Sequence, residues 1–283
     1  MQARPFCKWV GGKTQLLPTL LKLFPQKVTT YFEPFTGGGS VFFTMAAEGR
    51  FEFAVINDMN WELVNAYCTV RDEPADLMAV LLTIEEEYKE SPEAVYYKWR
   101  AEDPKTLLPL AAAARFIFLN KAGFNGLYRV NSKGGFNSPW GKREKVTTFD
   151  AENILACSAA LLKNVTLRQG DFSKILEGDA VLDVGAAKAG DLVYFDPPYV
   201  PLNPTSNFTS YTSVGFGLKE QERLAKLFKK LSDRGVKVVL SNSDTPVVRD
   251  LYAGFTIHEV QARRAVNSKG SSRGPVGEVI VVG

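Results

Sequence analysis

The stretch that decides the fold is Asp191-Leu192-Val193-Tyr194-Phe195-Asp196-Pro197-Pro198-Tyr199. Leu192 to Phe195 are apolar, aromatic or β-branched, the composition of a strand buried on both faces of a parallel sheet. The strand must end at Asp196, because two successive prolines remove two backbone donors and push the residues before them out of the helical region. A carboxylate, a free carbonyl and an aromatic ring are thereby fixed at the carboxyl end of a strand, where open α/β sheets bind ligands. An Asp-Pro-Pro turn could simply close a strand. The ring of Tyr199 points instead to chemistry on something flat.

Moving towards the amino terminus, Thr29 to Phe35 reads as another strand, and it runs into Thr36-Gly37-Gly38-Gly39-Ser40 and a helix from Val41 to Ala47. A strand, a glycine-rich turn and a helix form the first half of a nucleotide-binding βαβ unit. The next strand, Phe53 to Ile56, leads to Asp58, 21 residues after Gly37. An acid about 20 residues beyond the glycines suits a ribose diol. Gly11-Gly12-Lys13-Thr14 looks like the tail of a phosphate-binding loop, but Cys7 stands where that loop needs its first glycine. Gln15 to Phe24, by contrast, carries leucines at helical spacing and is stopped by Pro25.

Trp61 to Glu90, Tyr96 to Arg100 and Leu110 to Leu119 have helical patterns. Together they exceed what one crossover needs, which predicts an inserted helical subdomain. Gly123 to Gly141 then alternates apolar and polar residues about a Lys133-Gly134-Gly135 turn, the pattern of a β-hairpin. It interleaves Phe124, Tyr128, Phe136 and Trp140 with Arg129, Lys133, Asn125 and Asn137, a mixture suited to wedging between base steps and reading a groove. Beyond it come a helix (Ala151 to Leu162), a strand (Val165 to Leu167) ending in Asp171-Phe172, a polar Leu202–Phe216 loop expected to cover the site, a helix (Lys219 to Ser232) and a strand (Val236 to Leu240). Phe255 to Val260 and Glu278 to Val282 suit a closing antiparallel pair around a basic loop.

At 283 residues the chain can bury a substantial core. Cys7, Cys68 and Cys157 are too few and too scattered for a disulfide framework or a zinc site. The lone histidine, His258, argues against a Ser-His-Asp triad and reads as structural. No apolar run approaches the roughly 18–20 residues of a membrane span, and no secretory leader pattern opens the chain, so the expectation is a cytoplasmic protein without membrane association or metal. The net charge of +3 is unevenly spread. Arg115 to Lys145 holds seven basic residues against Glu144 alone, and Gln261 to Pro275 holds four with no acid, leaving the remainder acidic. Two basic patches on an acidic background suggest a polyanion partner.

These features together resemble the Dam-type DNA adenine-N6 methyltransferases. Lys8-Trp9-Val10-Gly11-Gly12-Lys13 is similar to their amino-terminal motif, and Phe35-Thr36-Gly37-Gly38-Gly39 to their cofactor loop. Phe124-Asn125-Gly126-Leu127-Tyr128-Arg129-Val130-Asn131 resembles their recognition hairpin, and Asp196-Pro197-Pro198-Tyr199 their catalytic motif. The order of motifs is that of the group with its recognition insert mid-chain, and the likeness covers nearly the whole sequence. It implies a Rossmann-like α/β catalytic domain (residues 1–60 and 147–283) with a mostly parallel sheet and an antiparallel closing strand. A recognition domain would occupy 61–146, with its hairpin at about 123–143.

The resemblance further implies S-adenosyl-L-methionine as cofactor, held by Trp9, Gly12, Lys13, Phe35, Gly37, Gly38, Gly39, Asp58, Asp171, Phe172 and Asp196. Asp196, Pro197, Pro198 and Tyr199 would form the catalytic slot for an everted adenine. Lys8, Phe124, Asn125, Leu127, Arg129, Asn131 and Arg143 would contact double-stranded DNA, with GATC the family's typical target and no obligatory protein partner. Arg143 departs from the pattern, which commonly has tyrosine there. Membership of a restriction-modification system fits as well as a phage or housekeeping role. Methylation of RNA or of protein glutamine uses related Pro-Pro-Tyr motifs, but these usually begin with Asn and lack a mid-chain basic hairpin. A catalytically dead DNA-binding regulator is another alternative, and intact Asp196, Tyr199, Gly37 and Asp58 argue against it; a nicotinamide dehydrogenase is weaker still, since its glycine fingerprint is not reproduced.

Overall fold

A computed structural model of the protein describes residues 2–131, 134–174, 186–201, 215–263 and 275–283. A seven-stranded sheet organises them, in the order β3-β2-β1-β4-β5-β7-β6. The strands are β1 (Val28–Glu33), β2 (Phe51–Asp58), β3 (Val165–Gln169), β4 (Leu192–Phe195), β5 (Lys237–Ser243), β6 (Thr256–Arg263) and β7 (Pro275–Val282). β1 pairs in parallel with both β2 and β4, and β4 with β5, while β7 runs antiparallel between β5 and β6. The expected mostly parallel sheet with an antiparallel closing strand is therefore observed.

Both faces of the sheet are covered, and the strand sequences show why. On β1, Tyr31 joins one apolar cluster and Phe32 the other, and on β4 Leu192 and Tyr194 face opposite to Val193 and Phe195. A strand with no polar face cannot be left in water on either side. One side carries α1 (Leu17–Leu23), α2 (Ser40–Ala47), α3 (Trp61–Asp72) and α7 (Ala151–Leu162). The other carries α8 (Leu218–Ser232), whose Leu224, Phe228 and Leu231 are buried, and α9 (Pro246–Leu251). Helices α4 (Pro74–Glu90), α5 (Pro92–Ala101) and α6 (Pro109–Ala122) build outward from α3.

Two local expectations are corrected. The Trp61–Glu90 helix is two helices, because Pro74 cannot donate to the preceding turn and starts α4 afresh at its first position. The Gly123–Gly141 segment is not a regular hairpin: among the described residues its legs run antiparallel but pair through isolated bridges, Gly123 to Trp140 and Val130 to Phe136, in place of a continuous ladder. A 3-10 turn at Phe124–Gly126 places Asn125 and Gly126 at φ values of 55° and 68°, which interrupts any ladder. Side chains take the backbone groups a ladder would use: Ser138 Oγ donates to the Leu127 carbonyl (2.5 Å) and Tyr96 donates to that of Ser138 (3.0 Å). Helix α9 was not anticipated, although Thr245-Pro246 carries its start signal, the Thr245 hydroxyl accepting from Val248 N at 3.3 Å. The Leu202–Phe216 loop up to residue 214, Lys133, and the basic loop at 264–274 lie outside the described residues.

Candidate active site

The chain order fixes the place of the cleft. From β1 the sheet grows through β2 to β3, and from β4 it grows the other way through β5. The connections therefore diverge between β1 and β4, and the crevice at their carboxyl ends is the ligand site of such sheets. Into that crevice β1 delivers Phe35 and the glycine turn, and β4 delivers Asp196 to Tyr199.

Asp196 is partly buried, and its immediate partner is Lys13, whose ammonium lies 2.7 Å from Oδ1. The same Nζ sits 4.8 Å from the centre of the Tyr199 ring and donates to the Gly11 carbonyl at 2.5 Å. Burial raises the Asp196 pKa to about 6, an effect that Lys13 opposes and nearby Glu278 reinforces. Tyr199 donates its hydroxyl to Glu278 Oε2 at 3.1 Å, and burial followed by the charge of Asp196 drives its phenol well above the ordinary range. The motif's backbone is tied down from behind. Gln221 Nε2 donates to the Pro198 carbonyl (2.8 Å), Asn242 Oδ1 accepts from Val200 N (3.0 Å), and Ser243 Oγ donates to the Val200 carbonyl (2.6 Å). Beneath it, Tyr31 donates to Glu33 Oε2 (2.8 Å), and burial pushes the Glu33 carboxyl up to about 8.

Beside this slot lies the glycine turn. Gly37 has φ of 52° and its N–H donates to Asp58 Oδ2 at 3.0 Å, while Asp58 Oδ1 accepts from Asn60 N at 2.9 Å. Burial raises the Asp58 pKa against these hydrogen bonds. A Cβ at Gly37 would stand 2.7 Å from the Trp9 indole, so no other residue fits beneath that ring. Phe35 stacks on Phe172 at 5.3 Å, and Phe216 closes edge-on at 5.6 Å. Arg223 lies over Phe172 at 4.3 Å and pairs with Asp171. Among the sequence-predicted residues, direct contacts join Lys13 to Asp196 and Tyr199, Gly37 to Asp58 and Trp9, and Phe35 to Phe172.

The Gly123–Gly141 segment is a second surface. Phe124 is 51% exposed, and Lys8, Asn125, Asn131 and Arg143 are exposed. Arg129 is exposed too, its guanidinium steadied by Asn137 Oδ1 at 2.7 Å. Three aromatics read as wedges are not available for that purpose. Tyr128 and Phe136 are buried, and Trp140 turns its indole N–H inward to Tyr88 Oη at 2.8 Å. Tyr128 instead stacks on Trp9 at 5.5 Å and donates to Glu62 Oε1 at 2.7 Å. Arg115 likewise leaves the basic patch: it is 1% exposed and pairs with Glu62 at 2.9 Å. Cys7 and Cys157 are buried, which drives their thiols up to about 12 and leaves them as packing groups.

Sequence reasoning missed Glu278, Gln221 and Asn242, all within reach of the Asp196–Val200 turn. The available signal was the polar Ser241-Asn242-Ser243 run at the end of an apolar strand, whose three members are buried.

Residues 9–266 match the family model of the D12 class N6 adenine-specific DNA methyltransferases. The chain belongs to that family. The methyltransferase is 42% identical to the type II methyltransferase M1.LlaDCHI of Lactococcus lactis subsp. cremoris, over 98% of this chain and 94% of that one. It is 41% identical to the type II methyltransferase M.MjaIII of Methanocaldococcus jannaschii, over 96% of each. The DNA adenine methylase of Escherichia coli K12 is 34% identical, over 99% of this chain and 95% of its own. The methyltransferase therefore takes a methyl donor and acts on adenine N6 in DNA. Among its described residues, no helix is long and apolar enough to cross a membrane.

Proposed function

We propose that the enzyme transfers a methyl group from S-adenosyl-L-methionine to N6 of an adenine everted from duplex DNA, within GATC as the family resemblance implies. The observation that carries this reading is the seat of the Lys13 ammonium, against Asp196 Oδ1 and above the Tyr199 ring. A nitrogen seated against a carboxylate oxygen and over an aromatic face occupies the place that an adenine amine in that slot would take. Entry of the base would require Lys13 to yield this place to the amine.

The donor set of the neighbouring cleft suits a nucleoside sulfonium. Phe35, Phe172 and Phe216 offer an aromatic wall, Gly37 an approachable backbone, and Asp58 and Asp171 carboxylates for hydroxyl and cationic groups. The Oδ1 of buried Asn57 has no hydrogen-bond partner among the described residues and is a further acceptor. When bound, that donor supplies an electrophilic methyl on sulfur.

The protein's own residues supply orientation and electrostatics. The exocyclic amine is a weak nucleophile because its lone pair is delocalised into the purine. Asp196 and the Pro197 carbonyl accept its hydrogen bonds and stabilise the charge that grows on nitrogen as it turns tetrahedral. Methyl transfer would form the N6–C bond as the donor's S–C bond breaks, and the surplus proton of the resulting ammonium would pass to solvent afterwards, so no strong base is required. Eversion costs a few kcal/mol. Stacking on Tyr199, held in place by Glu278, returns on the order of 1–3 kcal/mol of that. We assign residues 61–146 to target recognition, with Lys8 and Arg129 on base edges, Phe124, Asn125, Leu127 and Asn131 positioning the duplex, and Arg143 on its backbone.

The test is to incubate duplex DNA with the protein and methyl-tritiated donor, then digest with a nuclease blocked by methylated GATC. Incorporation with protection is expected. Incorporation without protection would assign a different site sequence, and no incorporation would reject the reading.

A further inference from the structure

The residue preceding Trp9 has both of its main-chain hydrogen-bonding groups taken by one buried side chain. Lys8 N donates to Asn120 Oδ1 at 2.8 Å, and Asn120 Nδ2 donates back to the Lys8 carbonyl at 2.8 Å. The same Nδ2 donates to the Gly126 carbonyl at 3.0 Å. Asn120, near the end of α6, is 1% exposed, and the three bonds leave its amide no rotational choice, since acceptor and donors cannot be exchanged. Gly126 sits at φ of 68°, and a Cβ there would come within 2.6 Å of Lys8 Cδ and 3.2 Å of the Asn120 carbonyl. The amino-terminal strap and the reading loop are therefore in van der Waals contact at Lys8 and joined through one amide.

The two partners depend on that amide unequally. The reading loop has independent ties, including Phe124 N to the Pro139 carbonyl (2.9 Å) and Asn137 N to the Arg129 carbonyl (2.9 Å). Lys8 is exposed, and Asn120 holds both its N–H and its carbonyl. Further back, Asn153 grips the strap in the same two-bond manner at Arg4, with Arg4 N to Oδ1 at 2.9 Å and Nδ2 to the Arg4 carbonyl at 3.0 Å. Losing Asn120 therefore removes both main-chain ties of Lys8 itself, between buried Cys7 and stacked Trp9, while the loop carrying Arg129 keeps its own ties.

We propose that Asn120 is a positioning residue for sequence discrimination, which registers Lys8 against the reading loop so that Lys8 and Arg129 meet the duplex as one rigid unit. The inference rests on the reading above in which Lys8 and Arg129 contact base edges. A base-edge hydrogen bond discriminates only if its donor is held in register with the others.

The experiment measures kcat/KM on the cognate duplex and on duplexes carrying one substituted base pair at each position of the site, for the wild type, K8A, N120A and the K8A/N120A double variant. K8A is expected to lose roughly tenfold or more of the discrimination at one base pair. N120A should lose discrimination at that same pair and keep it at the pair read by Arg129, with donor affinity unchanged. The double variant should lose no more than K8A alone, because Asn120 acts through Lys8. Losses that add in the double variant, or that spread evenly over all positions, would make Asn120 a merely structural residue and overturn the proposal. A wild type that methylates without discriminating, or a K8A protein with full discrimination, would instead remove the base-contact reading on which it stands, and the proposal with it. Should N120A not fold, Gly126→Ala disturbs the same contact from the loop side and is expected to give the same single-position loss.

Discussion

The cleft at the ends of β1 and β4 and the loop from Phe124 to Lys145 are both short polar and aromatic segments, but they are held in different ways. Asp196 follows a strand buried on both faces and paired on both edges, and Gln221, Asn242 and Ser243 fasten the turn that bears it. The Phe124–Lys145 loop has isolated bridges in place of a ladder, and its shape comes from side chains that meet it from α4, α5 and α6. Backbone pairing fixes a position whatever the side chains are, whereas side-chain anchoring lets exposed positions vary while buried ones hold. The first arrangement suits an invariant reaction and the second suits a sequence preference.

That contrast can be broken most directly at the chemistry. Asp196→Ala is expected to reduce methyl transfer by roughly 10³-fold or more while duplex binding persists, and near-wild-type transfer in a single-turnover assay would refute the assignment. At the base of the loop, Glu62→Ala leaves Arg115 charged, buried and unpaired, and takes the acceptor from Tyr128. Its cost is expected at about 3–5 kcal/mol of stability in urea unfolding. A cost below about 1 kcal/mol would show that the loop does not depend on this anchor. Arg129→Ala is expected to give up about 1–3 kcal/mol of discrimination at one base pair with transfer chemistry intact. A uniform loss over all sequences would move Arg129 to the phosphates.

Two smaller effects sharpen the comparison. Glu33, beneath the cleft, has its carboxyl raised from 4.5 to about 8 by burial, so between those values the folded protein binds a proton that the unfolded chain releases. Stability therefore declines as pH rises from about 4.5 to about 8, and Glu33→Gln should flatten that slope in pH-dependent melting. On the proposed mechanism Asp196 acts ionised, so kcat/KM should fall as pH drops below about 6. At the loop's far end, Arg143 offers its carbonyl to Tyr88 at 2.5 Å and its side chain to solvent. Arg143→Ala should weaken binding alike across sequences and lower the salt slope of log affinity by about 1.

Much of the cleft was legible because its residues are consecutive. Asp191 to Tyr199 encodes a buried strand and its enforced stop, and Phe35 to Gly39 encodes the turn, so local sterics alone place a carboxylate and a glycine cradle at strand ends. The aromatics of the loop were legible as composition but not as orientation. Tyr128, Phe136 and Trp140 alternate with basic residues as a groove reader would, and only burial against α3, α4 and α6 shows that they point inward.

The sequence by itself determined the parallel sheet, the two motifs and the basic insert, since strand burial, proline stops and glycine turns are set within a few residues. Tertiary structure alone decided that Lys13 sits on Asp196, that Glu278 from β7 holds Tyr199, and that Asn120 joins Lys8 to Gly126. The Lys13–Asp196, Tyr199–Glu278 and Lys8–Asn120 contacts each span a large separation in the chain, and a hydrogen bond between distant residues has no signature in either segment until the fold brings them to about 3 Å.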